Sequence, residues 1–509
     1  MNLYAIVLAL IVLTLLTVSL TRLGKVKTRA DYLVAGRSLP AFVLVFTLLS
    51  SWIGSGSLLG GAENAYRHGF AALWQAAGGW GGLALIYFIA PRARRFAQYT
   101  IPDLLEARYN QTARVLGVIA ILFTYTAITS YQFIGGGDIL HLIFPSAISA
   151  IQGRYLIAAF VILFTAIAGM SSVAYMDVAI GLLATFTLCI ALPVLIHGFG
   201  GWSAVRVALP ATHFQFLGDI TFVQAMELFV PPCLLMLGNQ SMYQKFFSAK
   251  SEKDATRAVT GWIIGTVILE TVIVALAVVG SAIYPTGEVH ERPREILAYV
   301  GLHAFEPTQT VTTVPNPTGP AIVITTTQVM APVELHLLQL LGALLVGAIF
   351  AKVISTANNY LFSPATNLVN DIFVRYLRPN AGNRQVLLVS RLMVVALGLW
   401  ALFQSLGSES VLKRALYAYT IYSAALTPVI LAAFYWRRAT ASAAVASIFT
   451  GTFVTVFWDT AFIHTHVPAI LSDRDAIFPA LVASLLCLVI VSLLTPRPTE
   501  AHLEAFAGS

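Results

Sequence analysis

Thirteen runs of apolar residues divide the chain, beginning near residues 2, 40, 70, 113, 154, 177, 222, 259, 334, 386, 411, 441 and 476. Each approaches the ~20 residues that carry a helix across a hydrocarbon layer, and most of the polar stretches between them are short. The pattern predicts an all-α polytopic membrane protein with about 13 transmembrane helices. The first run has no basic segment ahead of it and no small-residue cleavage site, so it reads as a retained helix and not as a signal peptide. One stretch interrupts the series: Pro285 to Pro332 holds seven prolines and a threonine-rich segment, and is expected outside the membrane. Within it, Arg294 to Phe305 carries apolar residues at helical spacing. It is either a short amphipathic lid over an outer vestibule or part of a variable loop.

Composition sharpens this picture. The chain is 58% hydrophobic and 10% charged with a mean hydropathy of +0.80, where soluble domains are about 25% charged. One set of alternate loops holds 21 of the 30 lysines and arginines, Lys245 among them; the opposite set holds 8, and Lys352 alone falls inside a run. Basic residues are retained on the cytoplasmic side, so the N-terminus is predicted outside and the C-terminus inside a bacterial-type plasma membrane. The net charge of +7 then follows from topology and asks for no nucleic-acid partner. The expected partners are a small-molecule substrate and membrane lipid, with a monomer as the working unit. Cys189, Cys233 and Cys487 lie in apolar runs, where thiols behave as small hydrophobes, and no disulfide is expected. His464-Thr465-His466 lacks a third metal ligand, and no nucleophile-base pair or cofactor motif appears, so neither an enzyme nor a resident cofactor is expected.

Two runs contain residues that oppose a continuous helix. The second reads Ser50-Ser51-Trp52-Ile53-Gly54-Ser55-Gly56-Ser57 at mid-depth, and the seventh reads Pro231-Pro232 followed by Gly238-Asn239-Gln240-Ser241. Unwound backbone inside a membrane is tolerated where it lines a cavity, and a pair of interrupted spans in the two halves of a chain points to a carrier's binding site. Close helix packing through small residues is the other reading of each run alone. The cavity wall is expected to include Ser55, Gly56, Ser57, Trp74, Gln75, Asn239, Gln240 and Tyr417 or Tyr419. Lys352, Ser355 and Thr356 share a helical face at i, i+3 and i+4 in a run otherwise apolar.

Three segments carry a family likeness: Asp31-Tyr32-Leu33-Val34-Ala35-Gly36-Arg37, Thr100-Ile101-Pro102-Asp103 through Tyr109, and Gly238-Asn239-Gln240-Ser241 through Lys250. With thirteen runs and an external N-terminus, the chain resembles the sodium:solute symporter family. That resemblance implies the inverted five-helix repeat of the leucine-transporter type, with broken spans two and seven. Residues 1–39 would hold the first span and a loop, 40–200 the first repeat, 201–434 the second with the external loop 285–333, and 435–509 two added spans. It also implies a sodium site formed by the carbonyls of Ser51, Gly54 and Lys352 with the hydroxyls of Ser355 and Thr356. Asp177 matches a family carboxylate on the ion pathway; a helix-start charge is its other reading. The expected function is import of a small polar solute by alternating access, coupled to sodium.

Lys352 departs from the family pattern, in which a small residue is usual. A lysine at the bilayer centre costs roughly 2.5–3.5 kcal/mol on insertion scales. Either it pairs with Asp138 or Asp177 while sodium binds, or its ammonium replaces sodium in a proton-coupled carrier or exchanger, or it snorkels into a wet inner vestibule. Asp138 sits in a glycine-rich stretch and is either a charge at the substrate, favouring an amine, or a structural partner. Glu63 and Glu270 are expected in helix-packing hydrogen bonds. A transporter-like sensor without transport is a further alternative.

Overall fold

The computed structural model describes residues 3–23, 28–96, 100–167, 169–305, 309–314, 322–327, 332–407, 410–458, 460, 465–468, 474–500 and 503. Among them, ten helices are long and apolar enough to cross a membrane, and Leu3–Val18, Ala41–Trp52 and Ala441–Phe457 are shorter apolar helices. Every predicted run corresponds to helix, and the boundaries move by a few residues. The sixth span is helical over Met170–Gly198, so Asp177 lies two turns inside it rather than at its start.

Tight seams of small residues set the packing. A Cβ on Gly78 or Gly82 of the third span (Leu73–Phe96) would stand 2.1 Å from the Phe229 carbonyl oxygen or 2.4 Å from that of Cys233, which belong to the seventh span. The ninth span (Pro332–Asn367) packs against the fourth (Gln111–Ile143) and the sixth, and the eleventh (Val411–Ala425) against the fourth and seventh. The last two spans pack on each other. In the insert between the eighth span (Glu252–Ile283) and the ninth, Ile296–His303 is a helix buried on nearly every side, seated where Gly301 meets Gly342 of the ninth span and Ile296 meets Gly280 of the eighth. Beyond it, strands Gln309–Val314 and Ile322–Thr327 pair as an antiparallel hairpin. The insert therefore combines a docked lid with a hairpin. A vestibule of about 650 Å³ opens beside the lid between His141, Glu288, Glu295 and Tyr299.

Candidate functional site

Both suspect spans are broken. The second is helical over Ala41–Trp52, extends at Ile53 (φ −82°, ψ 98°), and resumes as a wide turn over Gly56–Gly61. Its freed groups find partners across the bundle: Ser55 N–H donates to Gln132 Oε1 at 2.8 Å, and Thr356 Oγ1 donates to the Ser50 carbonyl at 2.8 Å and lies 3.2 Å from that of Ile53. The glycines are needed for close approach. A Cβ on Gly54 would stand 2.6 Å from Thr356 Oγ1, and one on Gly56 would stand 2.6 Å from the Tyr419 hydroxyl. The two readings of this run are thus compatible, since the break brings neighbouring spans close.

The seventh span runs helically through Pro231 and Pro232 and breaks at Asn239 (φ −61°, ψ 111°), which begins the helix Gln240–Ser248. Tyrosines satisfy the interruption. Tyr422 donates to the Gly238 carbonyl at 2.7 Å and accepts from Gln240 N–H at 3.0 Å, while Tyr125 accepts from Ser241 N–H at 3.0 Å. The Asn239 amide accepts from the Tyr125 hydroxyl at 2.8 Å and donates to that of Tyr360 at 2.9 Å. Gln240 turns the other way, accepting from Ile101 N–H.

On one flank of the second-span break lies the predicted ion region. Thr356 Oγ1 also lies 3.0 Å from the Lys352 carbonyl, so one hydroxyl and the carbonyls of Ser50, Ile53 and Lys352 converge. Thr356 thus meets the second span at Ser50 and Ile53, each one residue before Ser51 and Gly54, and meets its own helix at the Lys352 carbonyl. Ser355 points elsewhere: its hydroxyl bonds Asp177, which also accepts from Thr47 Oγ1 and from Asn359 Nδ2 at 3.1 Å. The Lys352 ammonium donates to Ser50 Oγ at 3.1 Å, with no exposure to solvent, which excludes snorkelling. It makes no ion pair with Asp138 or Asp177 among the described residues.

One residue of this region is misplaced by the sequence reading, and one is placed as expected, in hydrogen bonds between spans. Lys245 is not a loop lysine: on the short helix after the break it is 1% exposed and bonds Ser51 Oγ and, at 3.0 Å, Ser241 Oγ. Its i, i+4 spacing from Ser241 was the available signal. Glu270 of the eighth span (Glu252–Ile283) lies on the opposite flank of the break. It accepts from Trp52 Nε1 at 2.9 Å, Trp80 Nε1 at 3.0 Å and Ser57 Oγ at 3.2 Å. It shares a cavity of about 20 Å³ with Ser57 and Gln75.

The remaining candidates are distributed. Tyr419 stacks on Trp52 with centroids 6.1 Å apart and lies 3.3 Å from the Tyr131 hydroxyl, at the centre of the molecule; Tyr417 is half-buried beside it in sequence. Trp74 is not brought to this centre: its indole donates to the Phe216 carbonyl and its ring packs against Phe216, Phe222 and Phe229. Asp138 is buried and pairs at 3.1 Å with Arg294 of the lid, so its partner lies in the insert before the ninth span and is not Lys352. Glu63 pairs with Arg67 at 3.5 Å. At the other end of the fourth span, Arg114 pairs with Asp103 and Glu106 and lies 3.4 Å from Asp371, tying the 101–108 helix to the end of the ninth span. His464 lies outside the described residues, among which no group of three or more His, Cys, Asp or Glu side chains is placed to hold a metal.

The sodium:solute symporter family model matches residues 32–451. The chain is 24% identical over 493 residues to the osmoregulated proline transporter OpuE of Bacillus subtilis, covering 94% of this chain and 92% of the relative. It is 23% identical to a sodium/proline symporter of Staphylococcus aureus, covering 97% and 93%. A solved Na+-coupled sialic acid symporter in a substrate-bound outward-open state superposes with a TM-score of 0.76 at 16% identity, covering 98% of this chain and 99% of that one. A nucleobase-cation-symport-1 family transporter, solved closed with bromovinylhydantoin bound, gives 0.59 at 11%, covering 94% and 99%. These likenesses identify the fold as that of the leucine-transporter type.

Proposed function

The chain belongs to the sodium:solute symporter family, and from that premise we propose that it is a secondary active carrier importing a small polar organic solute by alternating access, with sodium as the coupling ion. The observation that supports this most is the shared one: spans two and seven are both interrupted, and the carbonyls of Ser50, Ile53 and Lys352 gather with Thr356 Oγ1 at the first interruption. An oxygen-only set suits a hard monovalent cation, and unwound backbone between spans is where carriers bind cargo. Ion pairs hold both ends, Asp138 with Arg294 on one side and Arg114 with Asp103, Glu106 and Asp371 on the other. Opening to either face means parting one of these sets while the other persists. Residues 40–200 and 201–434 are the two five-helix repeats in this reading. The N-terminus lies outside, the chain works as a monomer in a bacterial plasma membrane, and L-proline is the first solute to try, because the relatives carry it in their names.

A second reading has its own observation. Two fully buried ammonium groups, Lys352 and Lys245, stand in the region where a sodium ion would add a further positive charge. A carrier whose lysine stands in for sodium would run on protons or by exchange. Counterflow in proteoliposomes separates the readings. Sodium coupling requires saturable, exchange-stimulated uptake that falls at least 10-fold when sodium is replaced by choline. Uptake indifferent to sodium but driven by an imposed proton gradient favours the lysine, and Lys352→Ala should then increase sodium dependence. Tight binding without flux would make the protein a sensor.

A further inference from the structure

Glu270 sits in the eighth span with 4% of its surface exposed, and its donors are two indoles and a hydroxyl, all neutral. Two of the other three fully buried carboxylates have an arginine within 4 Å, Asp138 with Arg294 and Asp371 with Arg114, and the third, Asp177, has two lysines, Lys352 and Lys245, in its hydrogen-bonded neighbourhood. Among the described residues, none places a lysine, arginine or histidine in an ion pair with Glu270. A carboxyl held by neutral donors alone is either protonated or matched by a cation from outside the chain, and the second state is the one a cationic ligand would select. An independent observation points the same way. Gln75, 8% exposed, lines the same cavity, and its Oε1 is buried without a hydrogen-bond partner. An orphan acceptor beside an uncompensated carboxylate leaves two acceptors for one donor-rich ligand group.

We propose that Glu270 and Gln75 form the subsite for an ammonium group of the transported solute, so that the carrier takes an organic cation or a zwitterion. This rests on the carrier reading above and names its substrate class. The chemistry favours an organic ammonium over a metal ion. The indole N–H groups of Trp52 and Trp80 only donate, so they orient the carboxylate without ligating a cation. Ala72, Ala76 and Ile273 give the same cavity apolar walls for carbon attached to the nitrogen. At about 20 Å³ the cavity admits a head group only, so the rest of a solute would extend toward the Tyr131–Tyr419 contact.

The test is a thermal shift of the purified full chain with choline, putrescine and L-proline as ammonium-bearing probes and lactate and galactose as controls, each with and without sodium. At least one ammonium probe should raise the midpoint, and Glu270→Gln should require at least 10-fold more of it, with Glu270→Asp between. Should Glu270→Gln fail to fold, Gln75→Ala leaves the carboxylate and its three donors in place and should weaken the same probe several-fold. The inference is overturned if no ammonium probe shifts the midpoint, if only lactate or galactose does, or if the substitutions leave the affinity unchanged. Counterflow keeps the carrier reading separate. Saturable exchange of lactate or galactose would leave carriage standing and remove the amine subsite, whereas Glu270-dependent binding without exchange would leave the subsite standing and remove carriage.

Discussion

Two buried carboxylates flank the interruption of the second span, and they are treated oppositely. Asp177 accepts from Thr47, Ser355 and Asn359 in a neighbourhood that contains two ammonium groups. Glu270 accepts only from Trp52, Trp80 and Ser57. The same few residues of unwound backbone separate a flank whose charges the chain supplies from a flank left one cation short. The contrast teaches that a broken helix alone does not identify a cargo; the charge balance on each side of the break does.

The largest effect expected is at Asp177. Asp177→Ala removes the carboxylate and leaves the Lys352 and Lys245 ammonium groups buried without it, a change of the kind that costs about 3–5 kcal/mol. Thermal unfolding in detergent should show a large fall in midpoint or no folded protein. Combining Asp177→Asn with Lys352→Met should recover much of the loss, because the surplus charge goes as well. A single variant as stable as the parent would mean that Asp177 is not electrostatically engaged with the lysines. Next comes Gly54→Ala on the same flank, where the new methyl meets Thr356 Oγ1 at 2.6 Å and the crowding should cost about 1–3 kcal/mol. Thr356→Ser removes the methyl carbon at 2.7 Å from that position and should relieve part of the crowding. Glu270→Gln tests the opposite flank. With no buried cation left unpaired, its cost to stability should stay below about 1.5 kcal/mol, the worth of an ordinary hydrogen bond. A loss matching that of Asp177→Ala would erase the contrast.

Much of this arrangement was legible in the chain because it depends on local pattern. Apolar run length located the spans, and glycine, serine and amide runs located both interruptions. The i, i+3, i+4 spacing put Lys352, Ser355 and Thr356 on a common face, though only the packed structure turns Ser355 toward Asp177 and Thr356 toward the carbonyls of the break. What was missed depends on how distant segments meet. Lys245 belongs to a helix polar enough to read as leaving the membrane, yet all nine of its residues are buried against other spans. Glu270 looks the same in sequence whether an arginine or an indole faces it, so its lack of a cation is a tertiary fact. Asp138 lies in the fourth span and its partner in an insert more than 150 residues away, a distance no periodicity bridges.

The smallest effect expected concerns a third carboxylate, intermediate between the other two. Glu295 stands at the foot of the lid helix, outside the spans, and lines the vestibule. Burial, reinforced by the negative charge of Asp138, pushes its carboxyl up to about 7 against the opposing pull of Arg294, Arg292 and His141. An acid whose value rises on docking favours the docked lid in its protonated form. Its contribution is fully present below the ordinary glutamate value and is lost as pH rises through about 7. Hydrogen exchange of the Ile296–His303 amides should therefore be slower at pH 5.5 than at pH 8 after correction for intrinsic rates. Glu295→Gln should flatten that difference while leaving the Asp138–Arg294 pair intact. If the lid amides show the same protection at both pH values in the parent, Glu295 is ionised in the docked lid. The arginines around it would then compensate it as fully as the lysines do Asp177, leaving Glu270 as the exception among the three.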